Sequence, residues 1–350
     1  MRTSRVLPWA LLCAAPLALA QVPASPAAGH TTLADCAALE QAEARLQCYD
    51  RLAAEHGIPS PSHPEPGATP SPAAPLVEAA PAPAVTRLES HWELVPASKR
   101  GLFRLRPHLP IYLMASYTSD PNNEPYRPFE ALAPEAVDLA RLELAFQLSF
   151  KLKFAQAPMG APVDLWFGYT QRSFWQASNE DASSPFRATD YRPELMAVFP
   201  LDRNLFGLRL RFLNLGLVHE SNGQASTLSR SWNRVYAQAG FERGDFTLLG
   251  RVWKRFNEDA AEDDNPDIID YLGRGDVTAS YRREGHEYSL STRHNFSTGK
   301  GALQLGWSFP LSERARRLKG YVQLFSGYGN SLIDYDHRQD VLGVGLVISD

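Results

Sequence analysis

The chain has 350 residues, with 35 Lys and Arg against 39 Asp and Glu, a formal net charge of −4. That acidic balance argues against non-specific nucleic-acid binding. The mean hydropathy is −0.29, and no apolar run reaches the ~20 residues a helical span needs, which excludes a helical inner-membrane protein.

Residues 1–20 read as a secretory signal peptide. Arg2 and Arg5 precede an apolar run from Leu7 to Ala20, which ends in the small-residue stretch Ala18-Leu19-Ala20. Its removal takes the net charge from −4 to −6. Residues 21–56 form a small helical segment rich in Ala, Leu, Glu, Gln and Arg. It holds Cys36 and Cys48, the two cysteines left after cleavage. One straight helix would separate them by about 18 Å, beyond disulfide reach. Either they pair across a helix–turn–helix, as an oxidising compartment favours, or they stay unpaired on a loose helix. Residues 57–87 are a disordered linker rich in Pro, Ala and Ser.

From residue 88 to 350 the pattern changes to all-β. Leu142, Leu144, Phe146, Leu148, Phe150, Leu152 and Phe154 alternate with Glu143, Ala145, Gln147, Ser149, Lys151 and Lys153. Period-two alternation of this length is a strand with one apolar face. Further strands are expected around 109–118, 162–173, 192–201, 207–221, 231–241, 244–254, 275–284, 286–295, 301–310, 319–327 and 341–349. With the first they make twelve, an even number as a bacterial outer-membrane barrel requires. A soluble β-sandwich is the alternative. Trp166, Phe167, Tyr169, Trp175, Trp253 and Tyr321 lie near strand ends, as interface girdle residues or as ordinary packing. Arg230 and Arg234 read as inward barrel charges paired with acids such as Glu194 or Glu143.

The segment 217–236 carries the chemistry. Paired as a hairpin, strands 207–221 and 231–241 set Ser221 opposite Ser231 and His219 opposite Asn233. Side chains two apart share a strand face, so a nucleophile, a base and a group to orient it meet on one surface. Leu215 and Leu217 share that face, as do Val235, Ala237, Ala239 and Phe241, while Trp232, Arg234, Tyr236 and Gln238 take the other. The candidate triad therefore lies on the apolar side, which in a membrane barrel faces lipid. Leu208, Leu210 and Phe212 have the opposite parity, so a bulge or a change of face is needed near 212–213.

Four segments in order resemble the outer membrane phospholipase A family over residues 88–350. They are Tyr169-Thr170-Gln171 with Phe174-Trp175-Gln176 and Ser183-Ser184-Pro185-Phe186-Arg187; His219-x-Ser221-Asn222-Gly223 with Ser229-Arg230-Ser231-Trp232-Asn233-Arg234; Asp263-Asp264-Asn265-Pro266-Asp267-Ile268; and Ser326-Gly327-Tyr328-Gly329 with Ser331-Leu332-Ile333-Asp334-Tyr335. The resemblance implies a 12-stranded antiparallel transmembrane β-barrel in the bacterial outer membrane, with its active site towards the outer leaflet. It implies a calcium-dependent phospholipase A acting on phospholipids and lysophospholipids, with A1 and A2 activity. The roles carried over are Ser221 as nucleophile, His219 as base, Asn233 as orienting group and the Gly223 amide as oxyanion donor. Calcium (Ca2+) would take the Gln224 carbonyl, the Ser229 hydroxyl and Ser183 of a second subunit, and Gln171 would lie at the dimer interface. The resemblance thus implies an enzyme switched on as a homodimer. Asp263 and Asp264 are either contributors to a second metal site or an ordinary solvated turn; Ser226 stands where the family often has an acid. A non-enzymatic pore or scaffold and a lipid A acyl hydrolase are the competing functions.

Overall fold

The computed structural model describes residues 32–56, 84–131, 138–180, 185–259, 263–312 and 317–348. The expected signal peptide and nearly all of the expected linker lie outside the described residues. The chain divides into two units, Met1–Pro81 and Ala82–Asp350.

In the first unit, α1 (Leu33–Ala37) and α2 (Ala42–Glu55) form a helix–turn–helix. Thr32 and Asp35 close a capping box at the start of α1, satisfying two amides that a helix end otherwise leaves open. Cys36 and Cys48 are joined, with Cα atoms 5.4 Å apart. So few residues bury too little apolar surface to hold a fold by packing alone. The cross-link closes a loop of 12 residues' separation, worth about 3 kcal/mol by loop entropy. Reduction is expected to open α2 to trypsin at Arg45 and Arg51 while the barrel stays intact. Cleavage at equal rates with and without reductant would show that the helices stand without the link.

The second unit is a closed barrel of twelve antiparallel strands. They are β1 Ile111–Thr118, β2 Leu142–Gln156, β3 Asp164–Trp175, β4 Phe186–Leu205, β5 Leu208–Ser221, β6 Ser231–Arg243, β7 Phe246–Arg255, β8 Gly275–Arg283, β9 His286–His294, β10 Gly301–Pro310, β11 Leu318–Tyr328 and β12 Arg338–Ile348. Each pairs with the next, and β12 returns to β1 with Ile348 opposite Ile111. All twelve sequence-expected strands are present. β4 is longer than the expected 192–201, because Pro193 and Pro200 interrupt its strand signal.

The barrel is apolar outside and polar inside. Leu148, Leu195, Leu215, Leu217, Leu305 and Val344 are exposed on the wall. Ser149, Lys151, Lys153, Glu194, Arg211 and Asn214 are buried within it. An exposed apolar belt of this extent is unfavourable in water and is what lipid contact requires. Tyr288 and Trp307 stack face to face on the outside near the short turns, their planes 2° apart. Phe167, Tyr169 and Trp175 also share the outer face.

One open alternative is decided and two readings need correction. Trp166, Trp253 and Tyr321 point inward, so they are packing and not girdle. The expected linker to residue 87 ends earlier, because Thr86 caps α3 (Arg87–Trp92). That helix carries Leu88 and Trp92 into the interior, where Trp92 meets Trp166 and Phe212 and Lys151 Nζ sits 3.3 Å over its ring. Side chains packed across this part of the lumen oppose the pore reading. Finally, Arg234 pairs with Glu220 (2.5 Å), while Glu143 holds Arg187 and Glu194 holds His108. Glu220 and Arg234 are diagonal neighbours across the β5–β6 ladder, within reach of long side chains.

The parity break of β5 is met by a bulge at Arg211, where the register to β6 shifts between Leu210 and Phe212. Arg211 and Phe212 are both buried. Phe212 covers Gly240, where an added Cβ would come within 2.0 Å of the ring. Everything beyond the bulge turns over by one face. That turnover points His219 and Ser221 outward.

Candidate active site

The β5–β6 register sets His219 opposite Asn233 and Ser221 opposite Ser231. His219 is exposed, and Ser221 and Asn233 are half-buried, on the wall that carries Leu215, Leu217 and Val235. His219 Nδ1 lies 2.9 Å from Asn233 Oδ1. An amide oxygen only accepts, so Nδ1 carries the proton and Nε2 is left as the basic nitrogen. Asn233 Nδ2 donates in turn to Glu258 Oε1 at 3.2 Å. On the inner face of the same strands, Trp232 Nε1 and Arg234 Nη2 both donate to Glu220 Oε2, at 3.1 and 2.5 Å. That clip fixes the two strands directly behind the His219–Asn233 pair.

The loop from Asn222 to Arg230 is organised by Asn222. Its Oδ1 accepts from the amides of Gln224 and Arg230, and its Nδ2 donates to the Leu228 carbonyl at 2.7 Å. Gly223 follows at φ +64°, a left-handed conformation that favours glycine. Among the described residues the Gly223 N–H has no hydrogen-bond acceptor. Gln224 is exposed beside it.

The segment 263–267 folds back onto this loop. Ser229 Oγ donates to Asp264 Oδ2 at 2.5 Å, and the Ser231 amide donates to Asn265 Oδ1 at 3.0 Å. Asp263 is taken up by Arg255 at 2.5 Å and by the Asn265 amide. Of the two aspartates, then, Asp264 is exposed and touches Ser229, while Asp263 braces the loop through Arg255. Tyr335 Oη donates to Asp267 at 2.6 Å. Burial, and then that carboxylate, push its phenol up from the ordinary range, so it serves as a neutral donor tying the last family segment to the third.

Gln171 lies on the outer wall opposite Leu148 and Tyr191. Its Oε1 accepts from Tyr169 Oη and its Nε2 donates to Ser173 Oγ. Ser183 lies outside the described residues. Sequence reasoning missed Asn222, Glu220 and Glu258. Asn222 had a signal, standing first after a strand and before a glycine. For the two acids nothing local marks their partners, which lie 14 and 25 positions away.

A family model described as Phospholipase A1 matches residues 88–348. The chain is 40% identical to a putative phospholipase A1 of Neisseria meningitidis serogroup B, covering 94% of each chain. It is similar to the solved outer membrane phospholipase dimer of Salmonella typhi with bound calcium, at TM-score 0.65 and 35% identity, covering 72% of this chain and 94% of that one. It is similar also to outer membrane phospholipase A from Escherichia coli in which an active-site asparagine is replaced by alanine, at TM-score 0.68 and 33% identity, covering 76% of this chain and 99% of that one. The chain belongs to the outer membrane phospholipase A family, phospholipase A1 hydrolases built on a β-barrel in the bacterial outer membrane.

Proposed function

We propose that this hydrolase is a calcium-dependent phospholipase A working through Ser221, His219 and Asn233 from the lipid-facing side of the barrel, and active as a homodimer. The observation that carries this reading is the His219–Asn233 hydrogen bond of 2.9 Å, on the outer wall with Ser221 two residues along. The replaced active-site asparagine of the Escherichia coli relative supports the role of Asn233.

A serine hydroxyl is a weak nucleophile without an adjacent base. His219 Nε2 takes the Ser221 proton as Oγ bonds to the ester carbonyl carbon. The carbonyl π pair moves to oxygen, giving a tetrahedral oxyanion beside the Gly223 N–H. As the intermediate collapses, the C–O bond to the lysophospholipid breaks, and His219 returns the proton to the departing alkoxide. Water, deprotonated by His219, then attacks the acyl carbon; the bond to Ser221 Oγ breaks, His219 returns the proton to that oxygen, and the fatty acid leaves. Asn233 keeps the imidazole in the tautomer this cycle needs. Being neutral, it adds no full charge to stabilise the imidazolium, so the oxyanion side needs electrostatic help.

The residues beside Gly223 suit a hard cation. The Gln224 carbonyl, the Ser229 hydroxyl and the Asp264 carboxylate are all oxygen donors, and Ser229 and Asp264 already touch. Calcium there would supply positive charge near the oxyanion. Ser183 of a second copy would complete the set, and Gln171 would face that copy. With Tyr169 and Ser173 its amide forms a polar cluster on the apolar belt, where polar groups favour partners across an interface. The bound calcium and the dimer of the Salmonella typhi structure support this arrangement.

Calcium chelation is expected to lower phosphatidylcholine hydrolysis in detergent micelles at least about a hundredfold. Readdition should restore it, with sedimentation showing the dimer in the active sample. Full activity in chelator, or in a monomer, would remove the calcium or the dimer from the mechanism.

A further inference from the structure

We propose that Glu258 is a positioning residue for the triad. It fixes the Asn233 amide and supplies, one hydrogen bond removed, the negative charge a neutral asparagine lacks. This rests on the Ser221–His219–Asn233 reading above.

The geometry forms a chain. His219 Nδ1 donates to Asn233 Oδ1 at 2.9 Å, and Asn233 Nδ2 donates to Glu258 Oε1 at 3.2 Å. The loop after β7 is anchored to the same residue, because the Phe256 amide donates to the Asn233 carbonyl at 2.9 Å. Glu258 follows two residues later. Its other oxygen, Oε2, lies 3.4 Å from Arg255 Nη2. Arg255 is itself held by Asp263 at 2.5 Å and by the carbonyls of Asn265 and Pro266 at 2.9 and 3.3 Å. The Glu258 side chain is 18% exposed. A loop acid needed only for solubility would be free in solvent, and an Arg255–Glu258 ion pair at 3.4 Å contributes little by itself.

The chemistry follows from what an amide can do. Turned over, Asn233 would present its NH2 group to His219 Nδ1. The imidazole proton would then move to Nε2, and no base would face Ser221. A carboxylate only accepts, so Glu258 can face only the NH2 end. It therefore selects one amide orientation, and through it one histidine tautomer. Hydrogen bonds in a chain polarise one another. The Glu258 charge draws density towards Asn233 Oδ1, which steadies the imidazolium when Ser221 gives up its proton. Next to lipid the low dielectric strengthens such effects over their size in water.

The test uses the full chain refolded into detergent as the dimer, with circular dichroism confirming the barrel in each variant. E258Q keeps shape and hydrogen bonding but removes the charge; E258A removes both. E258Q is expected to lower kcat about tenfold, with KM within about twofold. Ser221 labelling by a fluorophosphonate should slow by the same factor, reading nucleophile activation without turnover. Because Glu258 acts through Asn233, E258Q should cost less than about twofold when added to N233A. A brace for the loop alone would carry its full loss into that background, and this result would overturn the proposal. So would E258Q at the wild-type rate while N233A is impaired. Wild-type activity in N233A itself would instead overturn the triad reading on which this one stands.

Discussion

Ser221→Ala is expected to lower kcat on a defined phosphatidylcholine at least about 10,000-fold, the loss seen when a triad serine is removed. Binding of micelles should be unaffected, because the apolar wall around the site stays intact. Ser221 sits half-buried at the end of β5, with its side chain on the outer face. Loss of one hydroxyl there makes no cavity and leaves no buried group unpaired, so stability should change by less than about 0.5 kcal/mol. The measurement is ester hydrolysis with calcium present, run beside fluorophosphonate labelling of the same preparations. Wild type should label at one serine, and the variant should not. Activity within tenfold of wild type in folded dimer would move the nucleophile away from Ser221. A loss of both activity and heat-resistant barrel structure would mean that the hydroxyl is structural.

The outward direction of that serine is legible in the amino-acid sequence, and the reason is local. Alternation is written residue by residue, so the faces of β2, β5 and β6 can be read directly. The parity break in β5 calls for a bulge or a change of face near 212–213, and the structure has a bulge at Arg211. The four family segments are likewise legible as strings. What they do together is not. Asp264 reaches Ser229 across 35 positions, Tyr335 reaches Asp267 across 68, and Arg187 reaches Asp334 across 147. Such contacts are fixed by barrel closure, which no local pattern encodes. The same limit hides the interior. A buried Trp166 and an exposed girdle tryptophan look alike in sequence. Only α3 entering the lumen shows that Trp92 needs a partner there. Glu258 is illegible for a third reason: an acid in a loop after a strand is the commonest solvated residue, and its amide partner lies 25 positions back.

Arg187→Ala is expected to destabilise the barrel by about 3–5 kcal/mol, the cost of removing one partner from a buried ion pair. Arg187 grips Glu143 with two hydrogen bonds, at 3.0 and 3.1 Å, and reaches Asp334 at 2.8 Å. All three residues are buried. The remaining acceptors are already used: Glu143 takes Gln176, and Asp334 takes Asn122 and Ser331. Truncation therefore leaves two carboxylates buried together with no cation between them. Water entering the vacated space and protonation of one carboxylate both soften the loss, so it should shrink as the pH falls. Glu143 stands on β2, Arg187 on β4 and Asp334 in the loop before β12, so one guanidinium joins three parts of the loop end that carries His219 and Ser221. The unfolding midpoint of full-length protein in micelles measures the effect. Arg187→Ala with Glu143→Gln should recover part of the loss, because it removes one of the stranded charges. A single variant as stable as wild type would mean that lumenal water satisfies these acids unaided. The charged interior would then add nothing to the rigidity of the wall on which His219 and Ser221 are mounted.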